Sequence, residues 1–278
     1  MVLSDSRTRT QFVVLPPSEH PVPGVFRNRH ADSRLRDELL AKVQRFRGKI
    51  YLDDGAIARG ELTSDGRHVS PVDQHSWHVL SLDGGGRVCS CLRFLEESRA
   101  RSFDDLWVRH AAAVHSAHGS GLRQAVEREI AHARRIGVRF GEVGGWAVAE
   151  SHRRTMEPLR IILAMYGLLE LLGSCVGVAT ATWRHSSAAI LRRIGLTTMA
   201  LDGGSLPPYY DPHYDCQMEL LRFDSRSPNP KYRTWVRDLG ASLTTAPVVC
   251  AGRMRTALQN VLRGFEMPVG EAALVPAT

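Results

Sequence analysis

FGEVGGWAVAE, residues 140 to 150, is the stretch whose reading decides the fold. Phe140 at one end and Trp146, Val148 and Ala149 at the other have the make-up of a β-strand. Inside it stand a carboxylate, Glu142, and a glycine pair, Gly144 and Gly145. Glycine weakens a strand interior and marks a bulge or a place where a ligand or a second backbone comes close. A carboxylate on a buried strand is costly unless it is paired or used. The stretch therefore predicts an interrupted strand whose acid serves an ion pair or a reaction.

Outward from it, the pattern alternates. GLRQAVEREIAHARRIG is an amphipathic helix that ends on Gly137, a natural C-cap. After the strand, Pro158 opens the apolar helix LRIILAMYGLLELLG, residues 159 to 173. That run is too short to span a bilayer and carries Arg160 and Glu170, so it reads as a buried helix. SCVGVATAT is a short apolar strand, RHSSAAILRRIG a second helix closed by glycine, and LTTMALD and CQMELLRFD two further strands. PKYRTWVRDLGASL is a late helix. Upstream, Leu35, Leu39, Leu40, Val43, Phe46 and Ile50 recur at helical spacing, with Asp32 and Ser33 as caps. SWHVLSLDGGGRVCSCLRFLE is two apolar runs about a DGGG turn, a β-hairpin. Hairpin and crossover connections together predict one α/β domain over residues 31–250, with a mixed sheet covered on both faces. Residues 1–30, rich in Arg, Pro, Ser and His, read as an extended or loosely docked, flexible arm, and residues 251–278 as a C-terminal extension with helical character in AGRMRTALQNVLRGF.

Composition excludes little. Hydrophobic residues make up 43% and charged residues 23% of the 278, ordinary for a globular protein with a substantial core. The net charge of +7 suits anionic partners without choosing one. The five cysteines form no CxxC pair, so reduced thiols and a cytoplasmic setting are expected rather than a disulfide framework. The first residues hold no apolar run of secretory type. GxGxxG after a strand, GxxxxGK[ST], HExxH and GxSxG are all missing, and the histidines lack zinc spacing, so no metal is expected. Basic residues are dispersed and aromatics are 7%, which speaks against nucleic-acid binding.

Three segments carry a resemblance. FRGKIYLDD holds Arg47 and Tyr51 near a helix end; DGRHVSPVDQHSWHVLSLDGGGRVCSCLRFL leads an acidic loop into a hairpin ending at Arg93; FGEVGGWAV sets an acid before the central strand. With RHSSAAILRRIGL and PPYYDPHYDCQMELLRFDS, their order over residues 35 to 245 resembles the GNAT acyltransferase superfamily. Within it, the chain is similar to the branch of acyl-homoserine-lactone synthases and long-chain N-acyl amino acid synthases. The resemblance implies a GNAT-like, mostly antiparallel sheet whose central strands splay, flanked by helices. It implies an amine attacking an acyl thioester, with no tightly bound cofactor and acyl carrier protein or CoA as the donor's carrier. The acceptor would be an amino acid, a small amine or a peptide side chain. Residue by residue, it puts Arg47, Tyr51, Asp73 and Arg93 on the acceptor side and makes Glu142 the general base or the group that orients the acceptor.

The departures bear on substrate. Gly144 and Gly145 stand where the lactone synthases carry Ser-Arg, leaving open a space that relatives fill with arginine; Ser70 and Ile57 replace an acid and a tryptophan. These changes speak against S-adenosylmethionine as acceptor and so against lactone synthesis. SHRRTMEPLR lacks the glycines that let backbone N–H groups reach a pyrophosphate, which favours an acidic carrier protein over CoA, with Val148, Arg153, Arg154 and Arg160 on the thioester side.

The chemistry sets requirements. An ammonium must lose a proton before it attacks, to a base such as Glu142 with a pKa raised by burial; a hydrogen bond to neighbouring backbone or an ion pair with Arg93 is the plainer role. Backbone N–H groups from Gly145 and Trp146 to Val148 would hold the oxyanion, and a plain bulge is the alternative. Arg93 would grip an acceptor carboxylate, or pair with Glu96 or Glu97. Asp73 positions Arg47 or is a solvated loop acid. Tyr210, beside Tyr209 and Tyr214, would protonate the leaving thiolate, or pack in its loop. Two rival expectations are a lactone synthase and a non-catalytic module that binds acyl thioesters or their carrier.

Overall fold

The chain is described by a computed structural model over residues 10–96, 102–201 and 204–252. Its elements in order are strands β1 (Gln11–Leu15) and β2 (Arg29–Ala31), helix α1 (Ser33–Asp53), the hairpin β3 (Ser76–Leu82) and β4 (Val88–Glu96), and helix α2 (Gly119–Arg135). Then come β5 (Arg139–Val148), α3 (Glu157–Leu171), β6 (Cys175–Thr182) and α4 (Ser187–Ile194). The short strands β7 (Thr197–Thr198), β8 (Ala200–Leu201), β9 (Gly204–Ser205) and β10 (Tyr209–Asp211) lead to β11 (Cys216–Asp224), α5 (Arg233–Thr245) and β12 (Val248–Cys250).

All but β8 and β9 join one sheet, in the order β10-β11-β6-β5-β4-β3-β1-β12-β2, with β7 also on β11. Its pairings are antiparallel except β5 with β6 and β12 with β1 and β2. The expected mixed, mostly antiparallel sheet flanked by helices is the observed one. Helices α3, α4 and α5 cover one face, packing on Phe12, Val14, Trp77, Phe94 and Phe223. Helices α1 and α2 cover the other, over Leu15, Leu80 and Cys91 and over Phe140, Val178 and Leu220. Period-2 alternation in the strands sends successive side chains to opposite cores.

The apolar run after Pro158 becomes α3, and every residue from Ile161 to Leu169 is buried. Each large apolar side chain buried this way contributes about 2 kcal/mol, which explains why this helix tolerates almost no polar position. Asp32 caps α1 by accepting the Leu35 N–H at 2.9 Å. Among the described residues no helix is long and apolar enough to cross a membrane.

One expectation gives way here. The arm expected over residues 1–30 contains β1, whose Phe12, Val13, Val14 and Leu15 are buried and which pairs with β3 along its whole length. QFVVL is a short β-branched run hidden between polar and proline-rich flanks, and β12 completes its other edge from the far end of the chain. Residues 1–9 of that arm, and the C-terminal extension beyond Gly252, lie outside the described residues.

Candidate active site

Strands β5 and β6 pair in parallel only from Arg139 with Cys175 to Glu142 with Val178. Beyond that point β5 stays on β4 and β6 stays on β11, so the two diverge into a wedge. The backbones nearly touch just before the wedge opens: a Cβ on Gly177 would lie 2.0 Å from the Gly141 carbonyl oxygen. Glu142 is therefore the last paired residue, at the apex of the wedge.

Two residues further, the β4–β5 register slips. Arg93 faces Gly144 and Cys91 faces Ala147, so Gly145 and Trp146 together oppose Leu92. This is a β-bulge, and Gly145 takes the left-handed conformation, φ +63°, that favours glycine there. A Cβ on Gly145 would sit 3.2 Å from the Arg93 Cβ and 3.3 Å from the Arg47 Nη1, and one on Gly144 3.6 Å from the Arg93 Nη2. The room the glycines make is thus not an open space, as expected from the sequence. The chain's own Arg93 and Arg47, arriving from β4 and α1, fill it.

These two arginines converge on Asp73. The Arg47 guanidinium donates to both carboxylate oxygens, Nη1 at 3.1 Å and Nη2 at 2.7 Å, and Arg93 Nη1 donates at 3.2 Å. Gln44 and the Ser70 N–H donate to the same carboxylate at 3.0 Å each. Burial opposes the charge on Asp73, but the hydrogen bonds and charge of Arg47 hold its carboxyl well below the usual range. Asp73 is a buried anchor rather than a solvated loop acid, and Arg93 bonds Asp73; Glu96 pairs instead with Arg139 at 2.6 Å. Glu97 lies outside the described residues.

Two guanidiniums face one carboxylate, which leaves the cluster net positive. Among the described residues, three buried nitrogens around it have no hydrogen-bond partner: Arg47 Nε, Arg93 Nε and His68 Nδ1. Buried polar atoms are rarely left without partners, and each such group calls for an account. Tyr51 closes one side, its hydroxyl donating to the Trp146 carbonyl at 3.3 Å and its ring edge-on to His68. Burial, and then the charge of Arg47, push His68 down to about 4; burial does the same to His78, which contacts the Asp73 carbonyl at 2.9 Å. Both imidazoles are neutral at pH 7 and add no further cation. Gln44 and the Trp107 backbone carry no sequence signal of their role, because their partners Asp73 and Glu142 lie 29 and 35 residues away.

Glu142 points to the α1/α2 face, under a run of short turns, Phe103–Asp105, Trp107–His110 and Ala112–His115. Its Oε1 accepts the Trp107 N–H at 2.5 Å. Burial pushes its carboxyl up to about 7, against the opposing pull of the Trp107 N–H, the Arg93 charge and the Val108 N–H. No ion pair between Glu142 and Arg93 forms. A carboxylate poised near neutrality at the opening of a wedge has the make-up of a general base.

The residues expected on the thioester side scatter. Val148 ends β5 and is buried. Arg153 donates to both oxygens of Asp54 at 2.9 Å, and its Nε to the Val148 carbonyl at 3.3 Å. Arg154 is exposed. Arg160 is not on the wedge: it is held by Glu157, Thr10 and Ser81, with its guanidinium over the Phe12 ring. In place of Arg160, a groove of about 520 Å³ between the start of α3, α4 and α5 gathers Arg153, Arg193 and Lys231 with Met156, Tyr232 and Trp235. No carboxylate among the described residues lines it. Tyr210 is also misplaced by the sequence reading. It is exposed on edge strand β10 with its hydroxyl bonded to Asp215. Burial and then the charge of Asp211 push the Tyr214 phenol up, against the opposing charges of Arg93 and Arg47, which tie this tyrosine of the loop electrostatically to the cluster.

No family model and no curated protein matches this chain. Solved structures do. A CoA-dependent acyl-homoserine lactone synthase, BjaI, with SAM and isopentyl-CoA, is 15% identical, with 91% of this chain and 100% of that chain covered, at a TM-score of 0.53. MesI, also a CoA-dependent acyl-homoserine lactone synthase, is 15% identical over 83% of this chain and 93% of its own, at a TM-score of 0.50. TofI, in a ternary complex with an inhibitor and MTA, is 14% identical over 84% and 99%, at a TM-score of 0.50. At such identity the likeness shows the fold, and it is the fold the resemblance implied.

Proposed function

We propose that this chain is an N-acyltransferase that moves a medium or long acyl group from a thioester to the amine of a carboxylate-bearing acceptor such as an amino acid. The observation that carries the reading is the wedge with Glu142 at its apex, beside a net-positive pocket of Arg47 and Arg93 with unpartnered buried nitrogens. A carboxylate on the acceptor supplies the anion that pocket lacks, in the two-pronged geometry arginine favours. The fold neighbours BjaI and MesI are described as CoA-dependent acyl-homoserine lactone synthases.

The steps follow from the residues. The acceptor ammonium gives a proton to Glu142, and the free amine attacks the thioester carbonyl carbon. Over Val143–Val148 the side of β5 that faces β6 carries no ladder, so N–H groups there are available to the oxyanion. Collapse forms the amide and breaks the C–S bond. The second proton of the amine passes to the departing thiolate, relayed by the Tyr214 phenol or by water, so a neutral amide and a free thiol leave the site. The groove of Arg153, Arg193 and Lys231 receives the phosphorylated end of the donor, whether on acyl carrier protein or on CoA.

Incubating the protein with acyl carrier protein and CoA thioesters against pools of amines, and reading products by mass spectrometry, tests this. An amide whose acceptor bears a carboxylate is the expected product. Consumption of no thioester by folded protein would reject the enzyme reading and leave a binding module. A product formed only with S-adenosylmethionine would make it a lactone synthase.

A further inference from the structure

The wedge is closed at its apex by the β5–β6 ladder, which ends at Glu142 and Val178. From there the two strands share no bond, and the next link between their continuations runs through a third element. Asp54 caps the end of α1. Its carboxylate takes Arg153 Nη2 on both oxygens at 2.9 Å, and Arg153 Nε is anchored on the carbonyl of Val148, the last residue of β5. From the β6 side, His185 Nε2 lies 3.3 Å from the same carboxylate, and Arg184 donates to the Asp54 carbonyl. Arg184 also donates to the carbonyls of Tyr214 at 3.0 Å and Asp215 at 3.2 Å.

Three further observations set this cluster apart from an ordinary surface pair. Asp54 and Arg153 are only 17% and 26% exposed, so solvent screens them less than a surface pair. His185 and Ser186 both take left-handed φ values, +53° and +59°, which non-glycine residues hold only where surrounding contacts over-determine them. And α1 carries Arg47 and Tyr51 shortly before Asp54, so one helix bears the acceptor pocket and ends on the residue that ties the far ends of β5 and β6.

We propose that Asp54 is a positioning residue: by tying Arg153 on the β5 side to Arg184 and His185 on the β6 side, it sets the width of the wedge and couples it to the acceptor-bearing helix. It touches no reacting atom. Its part in catalysis rests on the acyltransfer reading above; its part in holding the wedge does not.

The test uses full-length Asp54→Asn and Arg153→Gln, with Asp54→Glu as the conservative variant. Hydrogen–deuterium exchange is followed by mass spectrometry over residues 143–148 and 179–182. Exchange there is expected to quicken at least tenfold in Asp54→Asn, while peptides from the middle of α3 match wild type and Asp54→Glu restores protection. Where thioester is consumed, KM for the thioester rises at least fivefold and KM for the amine changes less than twofold. A merely structural loss would lower the active fraction, and so kcat, without that split. Should Asp54→Asn fail to fold, Arg153→Gln, which leaves Arg184 and His185 in place, decides the matter by the same exchange. Unchanged exchange at both strand ends, or acceleration spread evenly through the chain, overturns the proposal. Exchange confined to the wedge in a protein that consumes no thioester supports it and rejects the acyltransfer reading.

Discussion

Replacing Glu142 with glutamine separates its chemical role from its structural one, because the two effects have opposite signs. The side chain keeps its shape and loses its charge. Burial raises the folded pKa from 4.5 to about 7, and a rise of this size corresponds to about 3 kcal/mol at ~1.4 kcal/mol per pH unit. Between pH 4.5 and 7 the folded protein holds a proton that the unfolded chain releases. The stability owed to this group is therefore full at low pH and lost as pH rises through that window. Glutamine mimics the protonated form, so the variant should be more stable than wild type at pH 8, by up to about 3 kcal/mol, and no different at pH 4. Catalysis moves the other way. A general base contributes about 10²-fold at the low end, so kcat/KM at pH 7.5 should fall by about that factor. The wild-type limb that rises through pH 7 should vanish. Thermal melts at the two pH values and a pH series of initial rates read both effects. A variant that turns over like wild type, or that keeps the limb near pH 7, would refute the assignment of Glu142 as base.

Other residues give further checks. Asp73→Ala strips the carboxylate that holds Arg47 and Arg93; breaking such a buried pair costs about 3–5 kcal/mol, readable as a lower urea midpoint. Gly145→Ala forces a side chain into φ +63° and against Arg93; it should lose about 1–2 kcal/mol and raise KM for the amine. Gly177→Ala sets a Cβ 2.0 Å from the Gly141 carbonyl and should abolish soluble folded protein on size-exclusion chromatography. Tyr210→Phe should leave kcat within twofold, since its hydroxyl is on the surface with Asp215, whereas Tyr214→Phe should lower kcat about tenfold.

Much of the fold was legible because it is written in local periodicity. The hairpin about DGGG, the helix that closes on Gly137 and the largely apolar helix after Pro158 each announce themselves within a short local stretch. β1 did not, because a five-residue apolar run in a polar segment is ambiguous until β3 and β12 supply its neighbours. Arg160 and Tyr210 failed for a related reason. A charged or phenolic side chain near a motif can point to either face, and only packing decides that Arg160 turns to Thr10 and Glu157 while Tyr210 faces solvent.

The sequence by itself determined that residues 140 to 150 form an interrupted strand with a costly acid and a glycine pair. That follows from residue chemistry alone, since a buried carboxylate and two strand glycines demand an account wherever they sit. What the glycines are for was decided only in three dimensions. Arg47, nearly a hundred residues upstream on helix α1, and Arg93, on the neighbouring strand, occupy the room they leave. The bulge that admits them and the end of the β5–β6 ladder that exposes Glu142 are matters of register between strands. Register is set by long-range pairing and burial, which no local stretch of sequence contains.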